Sequence, residues 1–345
     1  MRRREFITLL GGALCSGRAG PSWRLAPLGG AATAWPLTAL AQTTPAKILR
    51  VGFVGTSTAS SLPERLDAFR ASLRDLGYQE GRNLVVEYRW ADGDYARLPA
   101  LFADLVRLKV DVIVTHGTPG VMAAKQATAT TPIVIAVVGD AVASGLVPNL
   151  ARPGGNVTGL TFFQPELIAK RLELLKEAMP GLNDVGMMLN SANRMNEAVL
   201  PQVAHTAQAL KLTLHQFDVR APAQFESSFA ALAEKRLRAL VVFDDAVLLS
   251  HARPLAALAL KHRIAAVGWL DFALDDGLLA YGVNFPDMFR RAATYVDKIF
   301  KGAHPGDLPV ERATKFETIL NLKTAKILGL EMPPSLLLRA DQVIE

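Results

Sequence analysis

Two adjacent carboxylates, Asp244-Asp245, close the apolar run Ala239-Leu-Val-Val-Phe243. Paired acids at the end of a buried strand suit acid/base exchange, a metal ion, or the anchoring of an ammonium or hydroxyl group. A plainer role is open to either of them, capping the helix read over 246–262, on which His251 and His262 are expected to be solvated. Upstream, His116-Gly-Thr-Pro-Gly120 follows the strand-like run 111–115 and leads into another helix. Gly117 and Thr118 then sit where free N–H groups and the positive end of a helix dipole favour an anion such as a carboxylate. With Asp244 or Asp140 at an opposing strand end for an ammonium, these features together have the polarity of an amino acid.

The other candidate binding residues also fall at strand ends or where the chain changes direction. They are Thr56 and Ser57 in the loop 55–61, Ser144 just after Gly139-Asp140, Thr161 and Phe162, Asn190 and Asn193 in Asn190-Ser-Ala-Asn193, and Asn284. For each hydroxyl or amide a helix-capping role competes with ligand binding. Enzymatic signatures are missing. Gly52-Phe-Val-Gly55 lacks the spacing of a dinucleotide fingerprint, and no P-loop, His-Glu-x-x-His or Gly-x-Ser-x-Gly pattern occurs. His116 has no evident Ser and Asp partners in a triad order. The chain is therefore read as a binder, with no catalytic residues, no metal and no cofactor.

The elements that must position these residues repeat one unit. Residues 48–54 read as a buried strand, the polar loop 55–61 follows, and Pro63 opens a helix with Leu66, Phe69, Leu73 and Leu76 at helical spacing before Gly77. The same alternation continues through the strands 84–90, 111–115 and 132–138. It resumes after 165 with strands at 185–189, 212–219, 239–243, 264–267 and 278–284. Such alternation implies α/β lobes with doubly wound parallel sheets, whose ligands bind beyond the carboxyl ends of the strands. Between the two runs lies Arg152-Pro-Gly-Gly-Asn-Val-Thr-Gly-Leu-Thr-Phe162, whose Pro153-Gly154-Gly155 cannot continue a helix. It is read as a hinge crossing. The lobes are drawn at 47–158, with 285–305 returning to the first, and at 159–284, with 310–345 returning to the second.

Half of the 345 residues are hydrophobic, enough for two cores. The net charge of +6 is uneven, because Arg2, Arg3, Arg4, Arg18 and Arg24 stand against Glu5 alone before residue 42. The remainder is near neutral and poor in aromatic residues, which removes the case for a nucleic-acid partner. Arg3-Arg4-Glu5-Phe6-Ile7 has the form of a twin-arginine export signal, and Ala39-Leu-Ala41 supplies a cleavage site, so 1–41 is read as a removed leader. The single cysteine, Cys15, lies in that leader.

Taken together, certain stretches resemble the family of ABC-transporter substrate-binding proteins that includes the tryptophan/tyrosine-binding type. They are Arg70-Ala-Ser-Leu-Arg-Asp-Leu-Gly-Tyr78, Asn83-Leu-Val-Val-Glu-Tyr-Arg-Trp90, residues 111–119, Leu150-Ala-Arg-Pro-Gly-Gly-Asn-Val-Thr-Gly-Leu160, residues 315–326 and Pro333-Pro-Ser-Leu-Leu-Leu-Arg-Ala-Asp341. The resemblance implies the type I periplasmic-binding-protein fold, two lobes joined by multiple hinge crossings. It further implies export to the periplasm, capture of a small molecule in the interlobe cleft, and delivery by a monomer to an ABC permease in the inner membrane. A ligand-sensing module of the same fold, serving a signalling partner, is the alternative. Residues 268–277 depart from the family pattern, so the ligand is not carried over.

Overall fold

In the computed structural model, which describes residues 47–345, the first apolar run forms β1 (Leu49–Gly55). Its residues alternate between two faces. Val51 and Phe53 join Phe69 and Phe289 in one cluster, while Val54 meets Phe102 and Val121 in another. A strand buried on both faces needs helices on both, and the alternating units supply them. In order come α1 (Pro63–Asp75), β2 (Leu84–Trp90), α2 (Leu98–Arg107), β3 (Val112–His116), α3 (Thr118–Ala127), β4 (Ile133–Val137) and β5 (Val157–Thr161).

The second run is built the same way: α4 (Gln164–Ala178), β6 (Asp184–Leu189), α5 (Arg194–Ala209), β7 (Thr213–Asp218), α6 (Phe225–Glu234), β8 (Ala239–Val242), α7 (Ala246–Leu249), α8 (Ala252–Lys261), β9 (Ala265–Gly268), α9 (Leu270–Leu274) and β10 (Leu279–Gly282). Here Met187 and Val241 pack with α4 and α5, whereas Met188 and Val242 turn to the opposite face with Phe229 and Leu255. The chain closes with α10 (Phe285–Phe300), β11 (Glu311–Arg312), β12 (Glu317–Asn321), α11 (Leu322–Leu328), α12 (Pro334–Arg339) and β13 (Gln342–Ile344).

The strands form a six-stranded sheet, β11-β5-β4-β3-β1-β2, and a seven-stranded sheet, β13-β12-β10-β9-β8-β6-β7. Within them β2-β1-β3-β4-β5 and β7-β6-β8-β9-β10 are one parallel winding order used twice, with β12 antiparallel to β10. The doubly wound, two-lobed fold expected from the sequence is present. In each lobe the winding reverses at one place, between β1 and β3 and between β6 and β8.

Three segments pass between the lobes: β5 into α4, β10 into α10, and β11 into β12. The crossings exchange helices, since α10 packs against α1, β4 and β5 of the first lobe while α4 packs against α5, β8 and β10 of the second. The first crossing falls later than the boundary drawn at 158/159. Val157, Thr158 and Gly159 pair with β4, so the strand stays with the first sheet as far as Thr161. Gly159 is held so close to its neighbour that a Cβ would lie 2.2 Å from the Ile135 carbonyl oxygen. The turn actually falls at Phe163, which adopts a left-handed conformation, φ 60°. Among the described residues no helix is long and apolar enough to cross a membrane. The expected leader, its cleavage point and Cys15 lie outside the described residues.

Candidate ligand-binding site

A doubly wound sheet offers its ligand site where the winding reverses, because the loops leaving adjacent strands there diverge and leave a crevice. Both reversal points of this molecule open onto one cleft. From the first lobe come Thr56, following β1, and His116, ending β3. From the second come Asn190, following β6, and Asp245, following β8. Each pair is joined by hydrogen bonds.

In the first lobe the Thr56 N–H donates to His116 Nε2 at 3.2 Å. That makes Nε2 the acceptor, so in the neutral ring Nδ1 carries the proton and faces Thr56 Oγ1 at 3.3 Å. Burial, assisted by the nearby Arg65 charge, lowers the His116 pKa from 6.5 to about 3, so the ring is neutral at ordinary pH. Gly117, at φ 72°, turns the chain from β3 into α3, and Thr118 is buried at the first turn of that helix. A left-handed φ at this turn favours glycine. Arg65 stands beside this wall, its guanidinium 4.6 Å from the centre of the Phe285 ring, and reaches over to Asp271 on α9 at 2.8 Å.

The second-lobe wall carries the two acids, and they differ. Asp244 is held by Arg171 through two bonds, 2.6 and 3.0 Å, and both side chains are fully buried. The same guanidinium donates to the Val242 and Tyr281 carbonyl oxygens. Asp244 therefore has no free charge for an ammonium, contrary to the reading from sequence. Asp245 caps α7 by accepting from the Val247 N–H, and it also accepts from Asn190 Nδ2, Asn193 Nδ2 and the Tyr95 hydroxyl at 2.9–3.0 Å. Among the described residues all these donors are neutral. Burial raises the Asp245 pKa, and the hydrogen bonds oppose that rise. Behind it Asn196 donates to the Asn190 carbonyl oxygen and accepts from Gln164, which ties the amides to the first crossing.

Two cavities lie along the cleft. The inner one, about 30 Å³, is bounded by His116, Gly117, Thr118, Phe162, Asn193, Asp244 and Asp245, together with Arg65, Tyr95 and Gln164. The outer one, about 430 Å³, lies beside the loops that follow β2 and β7, with Ser57, Asn190, Tyr95, Pro222, Val247 and His251 among its walls. Its volume is within the usual range for small-molecule sites, while the inner one has room for little more than a water or two. Tyr95 borders both.

Other expected site residues do structural work. Asp140 Oδ1 accepts from the N–H groups of Val142 and Ala143, and Ser144 bonds back to the Asp140 carbonyl oxygen, so both belong to one turn. Asp140 lines neither cavity, so it is not placed to meet an ammonium there. The Thr161 hydroxyl bonds to Val138 and Ala141, and Asn284 caps α10 through the Asp287 N–H. The two histidines expected to be solvated are packed instead. His251 lies edge-on to Phe225 and bonds to the Val247 carbonyl oxygen, and His262 stacks on Phe229. Sequence reading missed Arg65, Tyr95 and Gln164. Tyr95 directly follows Asp92-Gly-Asp94, a polar strand-end loop, and Gln164 directly follows Phe162-Phe163, so position alone was the available signal.

The model of a family described as ABC transporter substrate binding protein matches residues 55–344. The chain is 26% identical over 272 residues to a tyrosine-binding protein of Clostridioides difficile, covering 79% of this chain and 78% of that protein. Among solved structures it is similar to a conserved domain protein of Vibrio cholerae, at 26% identity and TM-score 0.81, covering 86% of this chain and 100% of that one. A Streptococcus pneumoniae ABC domain in complex with L-Trp has TM-score 0.79 and 23% identity, with 86% and 99% of the two chains covered.

Proposed function

The chain belongs to the ABC transporter substrate-binding protein family, and from that premise we propose that it captures a free aromatic α-amino acid between its lobes and delivers it to the permease of an ABC importer. The observation that carries this reading is the facing of two opposite polarities across the cleft, whose inner end has to widen beyond its present volume of about 30 Å³ to take the head group of the ligand. The N-terminus of α3 at Thr118 suits a carboxylate, the Gly117 N–H being taken by the Val137 carbonyl oxygen, and Asp245 on the other wall suits an ammonium. The outer cavity, with Tyr95, Pro222 and Val247 among its walls, is of a size for the side chain. The naming of one relative for tyrosine and the L-Trp complex of a structural neighbour support the same class. In this reading the protein is exported to the periplasm by residues 1–41 and acts there as a monomer, which cell fractionation and sedimentation would check.

Titration calorimetry tests the ligand class. L-Trp, L-Tyr and L-Phe are expected to bind, and indole-3-propionate, which keeps the ring and carboxylate but lacks the amine, is expected to bind at least about 100-fold more weakly. An absence of heat with every free amino acid, or equal affinity for the des-amino compound, would overturn the reading.

A further inference from the structure

Asp245 is satisfied from both lobes. Asn190, Asn193 and the Val247 N–H all belong to the second lobe and travel with the carboxylate. The Tyr95 hydroxyl, 2.9 Å from Asp245 Oδ2, comes from the first lobe, on the loop that follows β2. It is the donor that opening of the lobes must withdraw, and its place can be taken by another group without dismantling the second lobe. Tyr95 also borders both cavities, so its phenol stands between the outer chamber and the carboxylate.

We propose that the Tyr95 hydroxyl is an internal stand-in for the ligand's ammonium, competing with it for Asp245 and joining the lobes when no ligand is bound. A neutral phenol is a weaker partner for a carboxylate than an ammonium, so a cationic nitrogen wins the position and a ligand lacking one does not. Burial presses the same way. The charge on Asp245 is costly beside neutral donors alone, and a cation at that place offsets the cost. Tyr95 thereby acts as a specificity residue, setting a threshold that favours primary amines. The ammonium site itself rests on the function proposed above, whereas the joining of the lobes by Tyr95 does not depend on any ligand.

The variant Tyr95→Phe keeps the ring and removes only the hydroxyl. Small-angle scattering of the protein freed of ligand is expected to show a larger radius of gyration for the variant than for the wild type. Calorimetry is expected to show L-Trp binding to the variant about tenfold more tightly, the scale of losing one competing hydrogen bond to a charged group. An unchanged radius of gyration, or L-Trp affinity that is unchanged or weakened, overturns the proposal. Should the wild type bind no amino acid, the ligand assignment fails while the scattering comparison still decides whether Tyr95 holds the lobes together.

Discussion

The two reversal points occupy equivalent places in two lobes with the same winding, yet they are chemically opposite. Thr56 and His116 form a neutral pair beside a helix N-terminus and the Arg65 charge, whereas Asn190 and Asp245 place a carboxylate among amides. The repeated fold supplies the crevice, and the substitutions within it supply the polarity. A cleft made of two alike walls would hold a symmetric ligand, while unlike walls fix which end of a dipolar ligand goes where.

That contrast can be attacked first through its scaffold. Arg171→Met leaves the Asp244 charge buried and unpaired, and is expected to cost about 3–5 kcal/mol in denaturant unfolding. The double variant Arg171→Met with Asp244→Leu should recover most of that loss, since no lone charge then remains. A single variant as stable as the wild type would show that the pair is not what holds this wall.

Making the second wall neutral like the first is the next test. Asp245→Asn removes the charge at nearly constant shape and is expected to weaken L-Trp binding about 100-fold, on the order of 3 kcal/mol. Equal affinity would place the ammonium elsewhere.

The last test sharpens the first wall, through its dependence on pH. His116 has a folded pKa of about 3 against 6.5, so between these values the unfolded chain binds the proton and the folded one does not. Its contribution is fully present above the unfolded value and is lost as pH falls from 6.5 towards 3, by up to about 1.4 kcal/mol per pH unit. His116→Asn should flatten the stability profile in that window. Parallel profiles for variant and wild type would mean that the ring is not buried neutral.

The strands, most of the helices and the repeated winding were legible because alternation of apolar runs is a local property. The place of the candidate cleft was legible too, since the ends of parallel strands follow from the strands themselves. The partners were not. That Asp244 is neutralised depends on Arg171, a residue on a helix face with no local mark, and that Asp245 meets a hydroxyl depends on Tyr95, 150 positions away on the other lobe. The first crossing was placed too early because Pro153-Gly154-Gly155 looks like an end. The glycines instead make a turn, with φ 63° and 60° at Gly154 and Gly155, that feeds β5 into the sheet.

The three crossings lie at one side of the molecule, where β5 and β11 close the first sheet and β10 and β12 lie towards the corresponding edge of the second. Crossings so placed would leave the lobes one rotation, as a door on aligned pins has, with a lever arm that lengthens toward β2 and β7. With strands about 4.8 Å apart, β2 stands roughly 24 Å from β11, so each degree of swing moves it by about 0.4 Å. In such a swing displacement would be least beside Phe162 and greatest beside Tyr95 and the outer chamber. A ligand entering the proposed cleft would pass at that free edge.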